Sequence, residues 1–358
     1  MSWTRHLRPQ LADLVAYDVP PADASLARMH ANECPEPWPD HVLDAVAEAI
    51  RGVELGRYPD TSGRHVRALL GATLNCAPDR IVLGNGSDEI ISTLLTALSG
   101  GGGHLTIPTP TFVMYHHSAA VVGMPIVEVP LRPDFELDED AMREALRGAA
   151  LCFFARPNNP TGNLWDAALI ERLFTDFPQT VFVIDEAYTA YAPGASMWRP
   201  DLPENVVLMN TLSKVGGAAL RLGYCVAAPR LAAELDKVRH PYNISATSLT
   251  IAALLLSRFA DEQETMLARA RAGRARLCTM LRAVPGLTVF PSASNLVLAR
   301  FDDPADAPAV VAHLKTHGVL IKDVSRVPGL EGCVRASVGT AAELDRLESA
   351  LATFSRST

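Results

Sequence analysis

Seven short apolar runs recur through the first two thirds of the chain, most of them separated by segments whose apolar residues fall at helical spacing. The runs Arg80 to Leu83, His104 to Ile107, Pro125 to Val129, Ala150 to Ala155, Val181 to Ile184, Val206 to Met209 and Leu222 to Ala227 have the length and composition of buried strands. Before, between and after them, helical periodicity marks Val42 to Ile50, Ile90 to Leu98, Leu137 to Leu146, Asp166 to Phe174 and Arg230 to Arg239. Strands alternating with helices imply an α/β fold with a mostly parallel sheet covered on both faces.

A long helical region, Ile251 to Val284, then breaks the alternation. Beyond it the pattern predicts strands near Leu287 to Phe290, Leu296 to Arg300, Val319 to Ile321 and Cys333 to Val338, with helices at Ala305 to His317 and Ala341 to Phe354. A chain of 358 residues exceeds the size at which one core usually stops growing, so two lobes are expected. The division reads as a proline-rich, extended N-terminal arm (1–39) that packs back on the body, a large domain (40–265) and a small domain (266–358).

Charge and cysteine usage narrow the class. A net charge of −8 argues against nucleic acid as a main partner. The six cysteines, Cys34, Cys76, Cys152, Cys225, Cys278 and Cys333, are too scattered for a zinc site or a disulfide framework and read as reduced thiols. The first ten residues lead into no apolar leader, and Ile251 to Leu256 is too short for a bilayer, which takes about 20 residues. A cytoplasmic enzyme without membrane or metal is the expectation. Adjacent His116 and His117 cannot share a metal from one helix face. Asp138, Glu139 and Asp140 suit a solvated helix start, and Gly100 to Gly103 a turn.

The chemistry concentrates where strands end. Lys214 lies in Thr211-Leu212-Ser213-Lys214, with Arg221 seven residues on and Val183-Ile184-Asp185-Glu186-Ala187-Tyr188 ahead of it. An amine, a buried carboxylate and a guanidinium are what pyridoxal 5'-phosphate asks of a protein: a covalent anchor, a partner for the ring nitrogen and a phosphate ligand. Gly84-Asn85-Gly86-Ser87 links a strand to a helix, so amides at Gly86, Ser87 and Asp88 would meet a phosphate at a positive helix terminus. Thr211, Ser213 and Arg221 would complete that anion site. Asn159, in Pro157-Asn158-Asn159-Pro160-Thr161-Gly162, would emerge at the same sheet edge as Asp185 and share the cofactor's phenolic oxygen with Tyr188. Taken singly, each segment also fits an ordinary role: a capping turn, an Asn-Pro turn, a strand-end carboxylate.

The set Asn159, Asp185, Tyr188, Lys214, Arg221 and Arg335 resembles the active site of the fold type I pyridoxal phosphate enzymes, the class I/II aminotransferases. The resemblance runs from about residue 30 to the end of the chain and is nearest to the histidinol-phosphate aminotransferase branch. It is carried also by Ala31-Asn32-Glu33, Arg57-Tyr58-Pro59-Asp60, Gly84 to Glu89, Pro110-Thr111-Phe112 with Met114-Tyr115, and Gly332-Cys333-Val334-Arg335. It implies that Phe112 stacks on the pyridine ring, that Tyr58 reaches the cofactor phosphate of a neighbouring subunit in a homodimer, and that Arg335 holds the anionic end of the substrate. Tyr17, Lys322 and Asn32 are further candidates for substrate binding, each as well suited to a surface or packing role. Lys322 stands where some relatives have Arg, and a lysine binds phosphate without the bidentate fork. Cys34 replaces an Asn, and the Lys214 to Arg221 spacing is one residue shorter than in many relatives.

The resemblance implies a transaminase exchanging an amino group between histidinol phosphate and 2-oxoglutarate or glutamate, with Lys214 as general acid and base. An aromatic amino acid aminotransferase or a threonine-phosphate decarboxylase would keep the same cofactor residues. A cofactor-binding regulator without chemistry is disfavoured by Lys214 and by the lack of an appended basic region.

Overall fold

A computed structural model describes residues 3–12, 14, 23 and 25–354. In chain order the regular elements are β1 (Ala27–Arg28), α1 (Asp40–Arg51), α2 (Arg64–Leu74), β2 (Ile81–Asn85), α3 (Ser87–Leu98), β3 (His104–Thr109), α4 (Val113–Val122), β4 (Ile126–Pro130), α5 (Glu139–Ala145), β5 (Ala149–Ala155), α6 (Ala167–Asp176), β6 (Val181–Asp185), β7 (Val206–Thr211), β8 (Leu222–Val226), α7 (Pro229–Val238), α8 (Ala246–Arg258) and α9 (Ala260–Arg282). There follow β9 (Leu287–Val289), β10 (Leu296–Phe301), α10 (Asp306–Thr316), β11 (Val319–Leu320), β12 (Lys322–Asp323), β13 (Cys333–Ser337) and α11 (Ala341–Ala352).

All seven expected strands of the large sheet form, in the order β2-β8-β7-β6-β5-β3-β4. Only β8 runs against its neighbours. Both faces are buried, so alternate side chains of one strand enter different cores. In β6, Phe182 and Ile184 pack with Phe154, Trp165 and Ile170, whereas Val183 packs with Ile91, Leu94 and Val207 across the sheet.

The second sheet, β12-β13-β10-β9, is antiparallel and shares its core with α10, α11 and the C-terminal half of α9. The N-terminal half of α9 contributes Leu267 and Ala270 to the large core, and its C-terminal half contributes Leu277 and Leu281 to the small one. A helix of 23 residues, about 35 Å long, thus joins the two cores. β1 pairs in parallel with β11, which ties Ala27 and Met29 to the small core.

Several local expectations are corrected. The helical region expected over 251–284 is two helices, because Phe259 leaves helical geometry at φ −126° and ψ 30° to bury its ring against Val42 and Leu255. The strand expected over 319–321 divides at Ile321, whose flanking halves pair with different partners. Helices α2 and α4 were not expected, although Val66, Leu69, Leu70 and Leu74 give α2 an apolar stripe. In α2 an arginine, Arg67, is buried and reaches Asp236 at 2.8 Å, and α4 is apolar on most sides. The arm is not uniformly extended: Trp3–His6 and Pro9–Ala12 form 3-10 turns.

Candidate active site

β2, β3, β5, β6 and β7 run in one direction, so their carboxyl ends lie along one sheet edge, the usual place for a site in this architecture. Antiparallel β8 begins at that same edge, with Leu222 opposite Asn85 and Gly223 opposite Thr211. Gly86 to Asp88 follow β2, Phe112 follows β3, Asn159 follows β5, Asp185 ends β6, Lys214 follows β7 and Arg221 precedes β8. Residues far apart in sequence therefore meet because the strands share a direction.

The anion cradle forms at the start of α3. No side chain caps this helix, and Gly86 occupies φ 80° and ψ 169°. A β-carbon there would lie 2.6 Å from an Arg221 guanidinium nitrogen, and one on Gly223 would lie 2.5 Å from the Ser87 nitrogen. Both glycines are required for the close approach of the turn, the helix terminus and Arg221. Arg221 itself adopts φ 48°, a left-handed conformation rare for arginine, and its Nη1 and Nη2 donate to Ser213 Oγ at 3.3 Å and Asp88 Oδ2 at 3.1 Å. The short spacing from Lys214 to Arg221 is accommodated by two 3-10 turns hinged at Gly216, φ 93°. The Thr211 hydroxyl is buried, accepts the Ser213 amide at 3.1 Å and lies 3.1 Å from the Leu222 carbonyl. Its place in the cradle is to hold Ser213.

Asp185 is 5% exposed. Burial raises its pKa to about 6, opposed first by the hydroxyl of Tyr115, which donates to Oδ2 at 2.5 Å, and then by the Ala187 amide, which donates to Oδ1 at 3.0 Å. Nearby Asp88 raises it further, and the ammonium of Lys214 lowers it. Its neighbour Glu186 has a different task. Burial raises that carboxyl to about 7, and it accepts from Ser196 Oγ at 2.7 Å and the Met197 amide at 2.6 Å. Of the two acids in the segment, only Asp185 has the Tyr115 and Lys214 neighbours.

Because the folded-state pKa of Asp185 lies above the ordinary value of 3.8, ionisation opposes folding: stability is greatest below pH 4 and falls as pH rises through about 6. A rise from 3.8 to about 6 corresponds to about 3 kcal/mol. The cofactor-free Asp185→Asn variant should therefore gain stability relative to the wild type as pH rises from about 4 to about 6, and keep that gain at higher pH. Denaturant unfolding at several pH values measures this; a difference independent of pH would contradict it.

Around this carboxylate, Lys214 Nζ lies 5.7 Å from the Tyr188 ring centroid. Asn32, at φ 55°, donates from Nδ2 to the Tyr188 hydroxyl at 3.1 Å and accepts from Ser337 Oγ at 2.8 Å, linking this edge to β13. Asn158 accepts from Thr111 and donates to the Pro110 carbonyl, which fixes the loop carrying Phe112. Arg335 crosses from β13: Nη1 donates to Asn159 Oδ1 at 2.7 Å and Nη2 to the His30 carbonyl at 2.6 Å. Lys322 is directly opposite Arg335 on β12, so two cations thirteen residues apart share one face of the sheet.

Two expected residues remain. Tyr58 is 81% exposed and stacks on Tyr242 with centroids 4.4 Å apart. Tyr17 lies outside the described residues. Tyr115 had drawn no role from sequence, since nothing local signals that a helical tyrosine meets a carboxylate seventy residues on.

Comparison with known proteins identifies the family. The model of the family "Aminotransferase class I and II" matches residues 25–351. A protein named histidinol-phosphate aminotransferase from Methylibium petroleiphilum is 41% identical over 97% of this chain and 94% of its own. Histidinol-phosphate aminotransferase 1 of Burkholderia lata is 41% identical over 96% of both chains. Among solved structures, histidinol-phosphate aminotransferase from Sinorhizobium meliloti in complex with pyridoxal-5'-phosphate superimposes with a TM-score of 0.85, covering 97% of this chain and 96% of that one at 27% identity. A strand-edge site of this composition, a family model spanning nearly the whole chain and relatives aligned end to end lead to one assignment: the chain belongs to the aminotransferase class I and II family.

Proposed function

We propose that this chain is a pyridoxal phosphate-dependent histidinol-phosphate aminotransferase, converting imidazole-acetol phosphate and glutamate to histidinol phosphate and 2-oxoglutarate in histidine biosynthesis. The observation that carries the reading is the convergence of Gly86, Asp185, Lys214 and Arg221 at one sheet edge, with Arg335 and Lys322 side by side on the facing sheet. The substrate rests also on the full-length relatives of that name.

The residues fit the cofactor. A cradle that a single β-carbon would fill suits a phosphate, held by the amides of Gly86 to Asp88, by Ser213 and by Arg221. A carboxyl whose burial disfavours its charge gains from a cation beside it, and a protonated ring nitrogen is one. When bound, pyridoxal phosphate supplies a carbonyl carbon for the amino group and a ring that withdraws electrons from the substrate carbon. Asp185 would hold the proton on the ring nitrogen, Phe112 would cover a ring face, and Tyr188 and Asn159 would bind the phenolic oxygen. Lys214 would anchor the cofactor, and its amine would serve as the general acid and base that moves a proton at the substrate carbon. Arg335 and Lys322 bind the substrate phosphate, a dianion that calls for more than one cation. Asn32, buried between Tyr188 and Ser337, contributes by holding the site to the second sheet.

Side-by-side turnover of histidinol phosphate, phenylalanine and threonine phosphate tests the substrate. Histidinol phosphate is expected to have the highest kcat/KM with 2-oxoglutarate as acceptor. Preference for phenylalanine, or carbon dioxide release from threonine phosphate as the main reaction, would overturn the assignment.

The working unit is a homodimer in this reading. Tyr58, Leu55 and Tyr242 are exposed large side chains at 81%, 86% and 44%, a surface suited to a second copy. Tyr58 would complete the partner's phosphate site. A Lys214→Ala chain combined with a Tyr58→Ala chain should then recover part of the lost activity, through the one composite site left whole. A fully active monomer, or no recovery in a confirmed mixed dimer, would contradict this. Six free thiols accord with a reducing cytoplasm, and no helix among the described residues is long and apolar enough to cross a membrane.

A further inference from the structure

We infer that Tyr115 is a positioning residue for amino-group transfer: its hydroxyl fixes and sustains the Asp185 carboxylate that faces the ring nitrogen, while its ring braces Phe112. The inference rests on the proposed reading of Asp185. It adds a residue from α4 to a site otherwise built from strand ends and loops.

Tyr115 is fully buried, with 0% exposure. Its ring stacks on Phe153 of β5 at 4.5 Å and 6°, and meets the edge of Phe112 at 5.5 Å and 88°. Both are favourable aromatic geometries, and together they leave the ring one orientation. That orientation delivers the hydroxyl to Asp185 Oδ2 at 2.5 Å. The other oxygen, Oδ1, accepts the Ala187 amide. A carboxylate gripped at both oxygens cannot rotate, yet each oxygen keeps a second lone pair for the ring N–H.

The same bond favours the charged form of a group that burial would neutralise. The charged neighbours that also act on Asp185 are Lys214 and Asp88, and Glu186 follows it in sequence. Among the hydrogen bonds to this carboxylate, that of Tyr115 opposes burial most. A phenol on one helix thus serves two cofactor-facing residues from behind, one by hydrogen bond and one by ring contact.

Tyr115→Phe removes only the hydroxyl and keeps both ring contacts, so packing is preserved. The test measures pyridoxal phosphate affinity of cofactor-free protein by spectroscopic titration in four forms: wild type, Tyr115→Phe, Asp185→Asn and the double variant. Loss of a hydrogen bond to a charged group weakens binding about tenfold or more. Tyr115→Phe should show such a loss, with kcat for histidinol phosphate falling in parallel and KM within about twofold. In the Asp185→Asn background the same change should have little further effect, because Tyr115 acts through Asp185.

Wild-type affinity in Tyr115→Phe beside a weakened Asp185→Asn would overturn the inference and leave the site reading standing. A Tyr115→Phe loss retained in full in the Asp185→Asn background would also overturn it, since the hydroxyl would then act by a route other than Asp185. Wild-type affinity in Asp185→Asn would remove both the inference and the assignment beneath it.

Discussion

Lys214→Ala should lower kcat with histidinol phosphate by at least about 10²- to 10⁴-fold, the range for a removed general acid and base. The loss should fall on chemistry more than on cofactor retention, because Arg221, Ser213 and the Gly86 turn are independent of this side chain's amine. Lys214→Arg should not restore activity, since a guanidinium stays protonated and cannot take a proton from carbon. Single-turnover kinetics of the variants separate these statements. Near wild-type turnover in Lys214→Ala would end the mechanism proposed here.

Arg335→Ala should produce the next largest effect. Its guanidinium already grips Asn159 and the His30 carbonyl, so it is held in place before substrate arrives. Removing its bonds to a charged substrate should raise KM for histidinol phosphate about 10- to 150-fold. Exposed Lys322, a point charge across the strand, should contribute less, and its loss should weaken phosphorylated substrates more than phenylalanine. Steady-state kinetics on both substrate types check this. Equal losses in Lys322→Ala would contradict the phosphate assignment and favour an aromatic amino acid aminotransferase.

Much of the candidate site was legible because its residues follow strand ends, and buried strands announce themselves as apolar runs. Asp185 closes such a run, and Lys214 and Gly86 follow others closely. What the local pattern could not carry was partnership across distance. Tyr115 reads as one more ring in the apolar helix α4, and only the stacking on Phe153 of β5 turns it toward Asp185. The pairing of Lys322 with Arg335 depends on the register of β12 against β13, which the short strand does not reveal. Asn32 suited substrate contact or packing equally in sequence, and its buried bonds to Tyr188 and to Ser337 of β13 depend on residues more than 150 positions away. The break at Phe259 is likewise a tertiary effect, a ring drawn into a pocket with Val42 and Leu255.

The chain has four lysines, Lys214, Lys237, Lys315 and Lys322, so the anchor can be identified by direct assignment. Borohydride reduction of the protein loaded with pyridoxal phosphate, followed by proteolysis and mass spectrometry, is the most direct measurement. The account predicts the reduced cofactor on Lys214 and on no other lysine, and none in Lys214→Ala. Cofactor fixed to Lys237, Lys315 or Lys322 in its place, or no fixed cofactor in a loaded and active enzyme, would contradict it.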